Sequence, residues 1–296
     1  MFSILTTTYN SAHLIHRVYD SLIAQTYQNF EWIISDDGSS DETQEIVDAW
    51  KLNCKFDIIY HKMSKNQGKA YALNAGIDLC TRPITINADA DDTFAPNTLQ
   101  DLKLIWETIE RSENSDKIGA VWTIVQDEEG KLIGEPWPKN FWQVGFKERV
   151  LKRKKNVAGE KWHSWRTSVL KKYKKYTNPN SRVSPSVSWN RINKDYDFLC
   201  VNIIHRTYFS NPHGLTQQKK SKLKVMKRIY YSAYYELEPL NILQILSANY
   251  YRNMAFSYFR SRLTYQDNGT KLSGSKLFVI FLIFLFSLPL KLIKKT

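Results

Sequence analysis

The chain has 296 residues, 43% apolar and 24% charged, which supplies enough apolar material for a core and argues against a disordered chain. A net charge of +13 points to anionic partners, such as phosphorylated ligands, nucleic acid or an acidic membrane surface. Three cysteines (Cys54, Cys80, Cys200) stand far apart with no CxxC pair, which argues against a disulfide framework or zinc site and suits a reducing compartment.

The first hundred residues alternate strand and helix. Phe2 to Thr7 reads as a strand that starts at once, with no basic-then-apolar signal peptide before it. Leu14 to Gln25 has helical spacing of Leu14, Ile15, Val18, Leu22 and Ile23. FEWIIS (Phe30 to Ser35) is a second strand, and Ser40 or Asp41 can cap a helix running to about Trp50. Phe56 to His61 is a third strand, Lys69 to Leu79 a helix, Pro83 to Asn87 a fourth strand, and Thr98 to Arg111 another helix. This order implies an α/β fold with a mostly parallel sheet flanked by helices and right-handed crossovers.

Beyond Ile118 the pattern changes. GAVWTIVQ and KLIGEPW read as a hairpin around DEEG. Residues 147–194 hold fifteen Lys or Arg against Glu148 and Glu160, and read as an irregular basic segment with Trp162, Trp165 and Trp189 interleaved. Lys219 to about Arg262 reads as helix rich in tyrosine. LFVIFLIFLFSLPL (Leu277 to Leu290) is apolar apart from Ser287, with Lys276 before it and Lys291, Lys294 and Lys295 after it. It is short for a spanning helix and contains Pro289, so it reads as a buried helix or, preferably, an embedded or interfacial anchor.

Ligands of open parallel sheets sit beyond the strands' carboxyl ends, and the polar clusters fall there. NADADD (residues 87–92) gathers three carboxylates that would repel one another unless compensated. Asp89 and Asp91 straddle one residue and suit Mg²⁺ or Mn²⁺, which takes carboxylate oxygens and leaves positions for phosphate; a turn capped by Asp92 or Thr93 is the alternative. In DDGSSD, Asp36 or Asp37 can accept from a base or ribose, or simply shape a β-to-α turn. In NQGKAYALNAG, Gly68 and Lys69 open a helix where backbone N–H groups and an ammonium can meet phosphate, although the P-loop spacing is absent.

SILTTTYN, FEWIISDDGSSDET, NQGKAYALNAGI and ITINADADDTFAP, in that order and spacing, make the chain resemble the family 2 nucleotide-sugar glycosyltransferases of bacterial surface-polysaccharide type, with the GT-A (Rossmann-like) fold. The resemblance covers about the first 115 residues, and continues more weakly through GEKWHSWRTSVLKKY and SWNRINKDY to HGLT. It implies that Thr8, Tyr9 and Asn10 line the nucleotide pocket, that Asp36 or Asp37 holds base or ribose, and that Gly68 and Lys69 lie by the diphosphate. Asp89 and Asp91 would be the metal motif and Asp92 would shape the sugar site.

The implied activity is metal-dependent, inverting transfer of a sugar, hexosyl or N-acetylhexosaminyl, from a UDP-linked donor. The acceptor would be a glycan or polyprenyl diphosphate, at the cytoplasmic face of the plasma membrane. Relatives often carry Pro-Glu before the Trp of the W-N-R-I stretch, where RVSPSVSWNRI has Pro185 instead. Among Glu160, Asp195 and Asp197, Glu160 is chosen as general base, with an ion-pairing role as its alternative. A nucleotidyltransferase is disfavoured by the lack of a glycine-rich first turn in TTTYNSAH, and a nucleic-acid binder by the acidic strand ends. A degenerate nucleotide-sugar binder stays open. His163, His205 and His213 lack ligand spacing and read as structural, Trp189, Asn190 and Arg191 as packing, and KRKK (152–155) as a solvated loop or a contact for headgroups or an acceptor diphosphate. The expected organisation is 1–215 (donor half about 1–115, acceptor half about 116–215), 216–265 basic and helical, and 266–296 the membrane tail, touching lipid through 276–295.

Overall fold

The computed structural model describes residues 1–152, 157, 159–210 and 220–293, the stretch 288–293 by its helical course alone. Arg153, Lys154 and Lys155 of KRKK, the HGLT stretch with His213, and Lys294 and Lys295 of the tail lie outside the described residues. Two compact units are present. The first comprises 1–146, 153–175 and 191–217; the second comprises 147–152, 176–190 and 218–296.

In the first unit β1 (Phe2–Thr8), β2 (Phe30–Asp36), β3 (Asp57–Lys62) and β4 (Ile84–Asn87) pair in parallel in the order β3-β2-β1-β4. The helices between them are α1 (His16–Ile23), α2 (Thr43–Asn53) and α3 (Lys69–Leu79). Every residue of β2 is buried, as expected of a parallel strand covered on both faces. Burial of Glu31 within it is compensated by Ser3 Oγ at 2.6 Å and by the Thr81 backbone N–H and hydroxyl, each at 2.7 Å. After β5 (Thr93–Phe94), α4 (Thr98–Glu110) turns Leu99, Leu102, Ile105, Trp106 and Ile109 inward at helical spacing. The Trp106 indole N–H donates to Ser164 Oγ at 2.9 Å, so its polar atom is satisfied in the core.

The rest of the sheet corrects the expectation of a mostly parallel architecture. β6 (Ile118–Asp127), β7 (Trp142–Val144), β8 (Lys161–Arg166) and β9 (Asp197–Tyr208) extend it as β4-β8-β6-β9-β5, with β7 on β9. β8 runs antiparallel to both β4 and β6, so the nine-stranded sheet of the described residues is mixed. The expected hairpin around DEEG is short: one isolated antiparallel bridge, Gln126 to Leu132, flanked by the backbone bonds Asp127 N–H to Lys131 and Ile133 N–H to Val125, with Asp127 Oδ1 accepting the N–H groups of Glu129 and Lys131 in the turn. Among its described residues the basic segment is only partly irregular, chiefly over 173–184. It holds β8, α5 (Thr167–Lys172) and α6 (Pro185–Asp195), and Trp162 and Trp165 face inward from β8 at 3% and 0% exposure. Pro185, where a family glutamate was sought, opens α6, a position that needs no N–H and suits the fixed φ of proline.

In the second unit α7 (Lys222–Leu237), α8 (Ile242–Ser247), α9 (Asn249–Arg262) and α10 (Gly274–Ile293) follow one another. Ser221 caps α7 by accepting the Lys224 N–H, and Asn241 with Gln244 forms a reciprocal capping box on α8. The tyrosines are core here: Tyr230 stacks on Tyr258 at 4.9 Å, and Tyr231 donates to Asp267 at 2.6 Å. Among the described residues no helix is long and apolar enough to cross a membrane.

Candidate active site

The carboxyl ends of β1, β2 and β4 lie side by side, with Thr8 level with Asp36 and Leu5 level with Asn87. Polar atoms there are left over. The hydroxyl of buried Thr8 and Oδ1 of Asn87 have no hydrogen-bond partner among the described residues. Tyr9 leaves 48% of its surface exposed, an aromatic face open to a flat ring. Asn10 has the left-handed φ of 49° that asparagine tolerates, and it knits the first turn to the second. Its N–H donates to Ser39 Oγ and its Oδ1 accepts the Ser40 N–H, both at 2.8 Å.

Asp36 and Asp37 both accept hydrogen bonds within the protein. Asp36 is fully buried; its Oδ1 accepts from the Ser39 N–H at 2.8 Å and hydroxyl at 2.6 Å, and its Oδ2 from the Tyr60 hydroxyl. Asp37 is 3% exposed and accepts the backbone N–H groups of Gln67 and Gly68, both at 2.7 Å. The two carboxylates therefore anchor the DDGSSD turn and the loop before α3, and so fix where Lys69 emerges. Gly68 (φ 105°) offers its N–H inward to Asp37, not outward to an anion. Gly38 has φ 78°, and a Cβ there would lie 2.8 Å from the Lys65 carbonyl carbon. Gly38→Ala therefore combines backbone strain with a backbone clash, and should cost about 2–4 kcal/mol in urea unfolding.

The NADADD loop meets two cations. Lys69, at the start of α3, places Nζ 2.6 Å from Asp89 Oδ1. Arg206, near the end of β9, reaches Asp92 Oδ2 at 2.5 Å and Asp89 Oδ2 at 3.6 Å. Burial would raise the Asp89 carboxyl, but the charges of Lys69 and Arg206 outweigh it and hold it below the usual carboxylate range. Asp92, fully buried, is pushed the other way: burial raises it, Arg206 pulls it back, and Asp89 and Asp91 add repulsion. Asp91 is tied down by its backbone, whose carbonyl accepts from Arg17 at 3.1 Å.

Arg206 is the residue the sequence reading missed. It sits at 7% exposure on a strand that was not foreseen, although DFLCVNIIHRTY has a β-branched and apolar run. Glu160 is exposed just before β8. Because β8 runs antiparallel to β4, its beginning lies at the carboxyl end of β4, and the Trp162 indole N–H donates to the Asn87 carbonyl at 2.6 Å. Glu160 lies close enough to contribute to holding Arg206 charged. The other acids weighed as bases are engaged elsewhere: the Tyr173 hydroxyl donates to Asp195, and the Gln143 amide to Asp197 at 2.8 Å. His163 accepts the Trp165 indole N–H on Nδ1 at 2.7 Å, and burial lowers the ring to about 3, so it is a neutral structural acceptor.

Among the described residues no three His, Cys, Asp or Glu converge on a point. The residues present still fit a hard divalent cation that draws most of its ligands from phosphate and water. The carboxylate of half-buried Asp91 has no hydrogen-bond partner among the described residues and stands two positions from ionised Asp89.

These strand ends belong to an α/β scaffold and bring carboxylates and cations face to face. The sequence profile of glycosyl transferase family 2 matches residues 3–173, more than half of the chain, and the chain belongs to that family. Curated relatives include an uncharacterized glycosyltransferase of Nostoc sp., 31% identical over 119 residues, covering 40% of this chain and 35% of that protein. Poly-beta-1,6-N-acetyl-D-glucosamine synthase of Staphylococcus aureus is 33% identical over 117 residues, covering 40% and 26%. The chain thus spans about a quarter to a third of the length of these relatives. The fold is similar to that of Staphylococcus aureus TarS in complex with UDP-GlcNAc, with a TM-score of 0.58, 16% identity, and coverage of 95% of this chain and 79% of the other. It is also similar to a mannosyltransferase from Pyrobaculum calidifontis in complex with GDP-Man and Mn²⁺, with a TM-score of 0.57, 16% identity, and coverage of 97% and 80%.

Proposed function

We propose that this chain transfers a sugar from a nucleoside diphosphate donor, UDP-linked, to a hydroxyl of a glycan or polyprenyl-diphosphate-linked acceptor, with inversion. The carrying observation is the ion-paired cluster of Asp89, Asp92, Lys69 and Arg206 beside the free Asp91 carboxylate. Such a cluster suits a diphosphate that arrives with a cation. The acceptor oxygen would form a bond to the anomeric carbon while the bond to the diphosphate oxygen breaks. The acceptor proton would go to a carboxylate, and the nucleoside diphosphate would leave with the bonding electrons.

Each residue has a task in this reading. Tyr9 offers its exposed face to the base, and Thr8 and Asn87 offer unpaired oxygens to ribose or base. Lys69 turns from Asp89 to the diphosphate. Asp92, locked by Arg206, fixes the floor under the sugar. Asp89 and Asp91 would hold Mg²⁺ or Mn²⁺, which when bound supplies Lewis-acid neutralisation of the departing diphosphate. Glu160, exposed at the same strand end, is the base.

The test is a melting series of the full chain with UDP- and GDP-sugars, with and without Mn²⁺. A ligand that binds the native state raises the melting temperature, by about 2.7 kcal/mol of stabilisation at a hundred times its Kd. A shift with UDP-sugars that depends on Mn²⁺ supports the reading; none with any nucleotide sugar overturns it. Glu160→Gln should lower transfer about 100-fold or more while leaving the donor-induced shift unchanged. A wild-type transfer rate removes Glu160 from the base role, and donor binding without transfer in the parent protein favours the non-catalytic nucleotide-sugar binder.

A further inference from the structure

The second unit carries an apolar face that its own core does not use. On α10, Ile280 is fully buried and Phe284 packs against Phe256 and Phe259 of α9, with ring centroids 5.1 and 4.9 Å apart. The other side of α10 exposes Phe278 (63%), Leu285 (43%) and Phe286 (77%), with half-buried Leu282 among them; Phe281 (39%) borders this face while its ring also meets Phe259 of α9, centroids 5.4 Å apart. Positions 278, 281, 282, 285 and 286 are spaced i, i+3, i+4, i+7 and i+8, so they form one stripe along the helix. An exposed aromatic stripe of this kind marks a binding surface.

Charge selects the occupant. Residues 219–296 contain fourteen Lys or Arg against three acids, Glu236, Glu238 and Asp267. Lys222, Lys224, Arg260 and Lys271 are exposed. A second copy meeting this face would bring two strongly basic surfaces together, whereas anionic headgroups complement it. A spanning position would require α10 to leave α9 and expose Ile280 and Phe284.

We propose that α10 lies in the plane of an anionic membrane surface, with Phe278, Phe281, Leu282, Leu285 and Phe286 in the headgroup–acyl boundary and the basic side chains of the second unit against the lipid charges. Apolar burial and electrostatic attraction then act together, the pairing that reversible interfacial helices use. This docking does not rest on the glycosyl-transfer reading, because its test needs neither donor nor acceptor.

The experiment is co-sedimentation of the full chain with phosphatidylcholine vesicles, alone or carrying about 30% phosphatidylglycerol. The parent protein should bind the anionic vesicles and release as salt is raised. Phe278→Ser combined with Phe286→Ser should weaken that partition at least about tenfold. Both side chains are exposed, so the melting temperature of the pair should match the parent. No binding to anionic vesicles, equal binding by the doubly substituted chain, or a self-association that the two substitutions abolish while vesicle binding is nil would each overturn the proposal.

Discussion

Arg206→Leu should destabilise the protein by about 3–5 kcal/mol, the range observed when one partner of a buried ion pair is removed. Arg206 is 7% exposed and its guanidinium touches the fully buried Asp92 and, at 3.6 Å, Asp89. Without it, two carboxylates face each other with Lys69 as the nearby cation. Asp92 would then keep a proton to avoid ionising in an apolar setting. That gives the loss a pH signature. A carboxyl whose folded pKa lies above its unfolded value binds more protons when native, so stability falls as pH rises through the gap between the two. The Asp92 carboxyl of the parent is already pushed up to about 8, and removing Arg206 raises it further, so the stability difference from the parent should grow as pH rises from about 8 toward about 10. Urea unfolding across that range measures it. Arg206→Leu with Asp92→Leu should recover part of the loss, since neither charge is then orphaned. A difference that stays flat with pH, or a pair of substitutions whose costs simply add, would show that Arg206 acts through packing alone.

The contrast between Arg206 and the upstream motifs shows what local sequence carries. β1 to α4 repeats a local unit, a strand followed by a helix, and its punctuation lies within each ten-residue stretch. Lys69 to Leu79 is a helix with the bounds its sequence implies. β9 has no such context. Its partners are β6, about eighty residues earlier, and the short β5 and β7, so only the assembled sheet shows that Arg206 faces Asp92. In the same way KWHSWR reads as basic and irregular until pairing with β4 and β6 turns its tryptophans inward. Asp36 and Asp37 show a subtler limit. Their position at a strand end is legible, but the N–H groups that occupy Asp37 belong to Gln67 and Gly68, thirty residues on. Sequence located the acids; only the fold shows which distant backbone groups Asp37 holds. The NADADD loop keeps its expected place after β4, and there too the compensating charges come from α3 and β9 rather than from the loop itself.

Asp91→Ala should separate function from stability most cleanly. The Asp91 carboxylate makes no hydrogen bond or ion pair among the described residues, and its backbone carbonyl, which Arg17 holds, survives the substitution. Its charge works against the fold, because it is one of the two neighbouring carboxylates that disfavour ionised Asp92. Removing it should leave the melting temperature equal to or slightly above the parent's, a pattern found where acidic groups are gathered for a ligand rather than for the core. Binding of UDP in the presence of Mn²⁺ should nevertheless weaken about 100-fold, because a hard cation that takes one or two carboxylates loses a ligand. The part of the UDP affinity that needs no Mn²⁺ should be kept. Calorimetric titration of parent and variant, each with Mn²⁺ and with chelator, isolates the cation-dependent part, and the parallel melts isolate stability. Equal cation-dependent affinity in both proteins would place the neutralising charge on Lys69 and Arg206 alone. A large fall in melting temperature would mean that the third carboxylate serves the loop. The expected outcome, lost cation-dependent affinity in an intact fold, would give three mutually repelling carboxylates at the end of β4 a reason to be together.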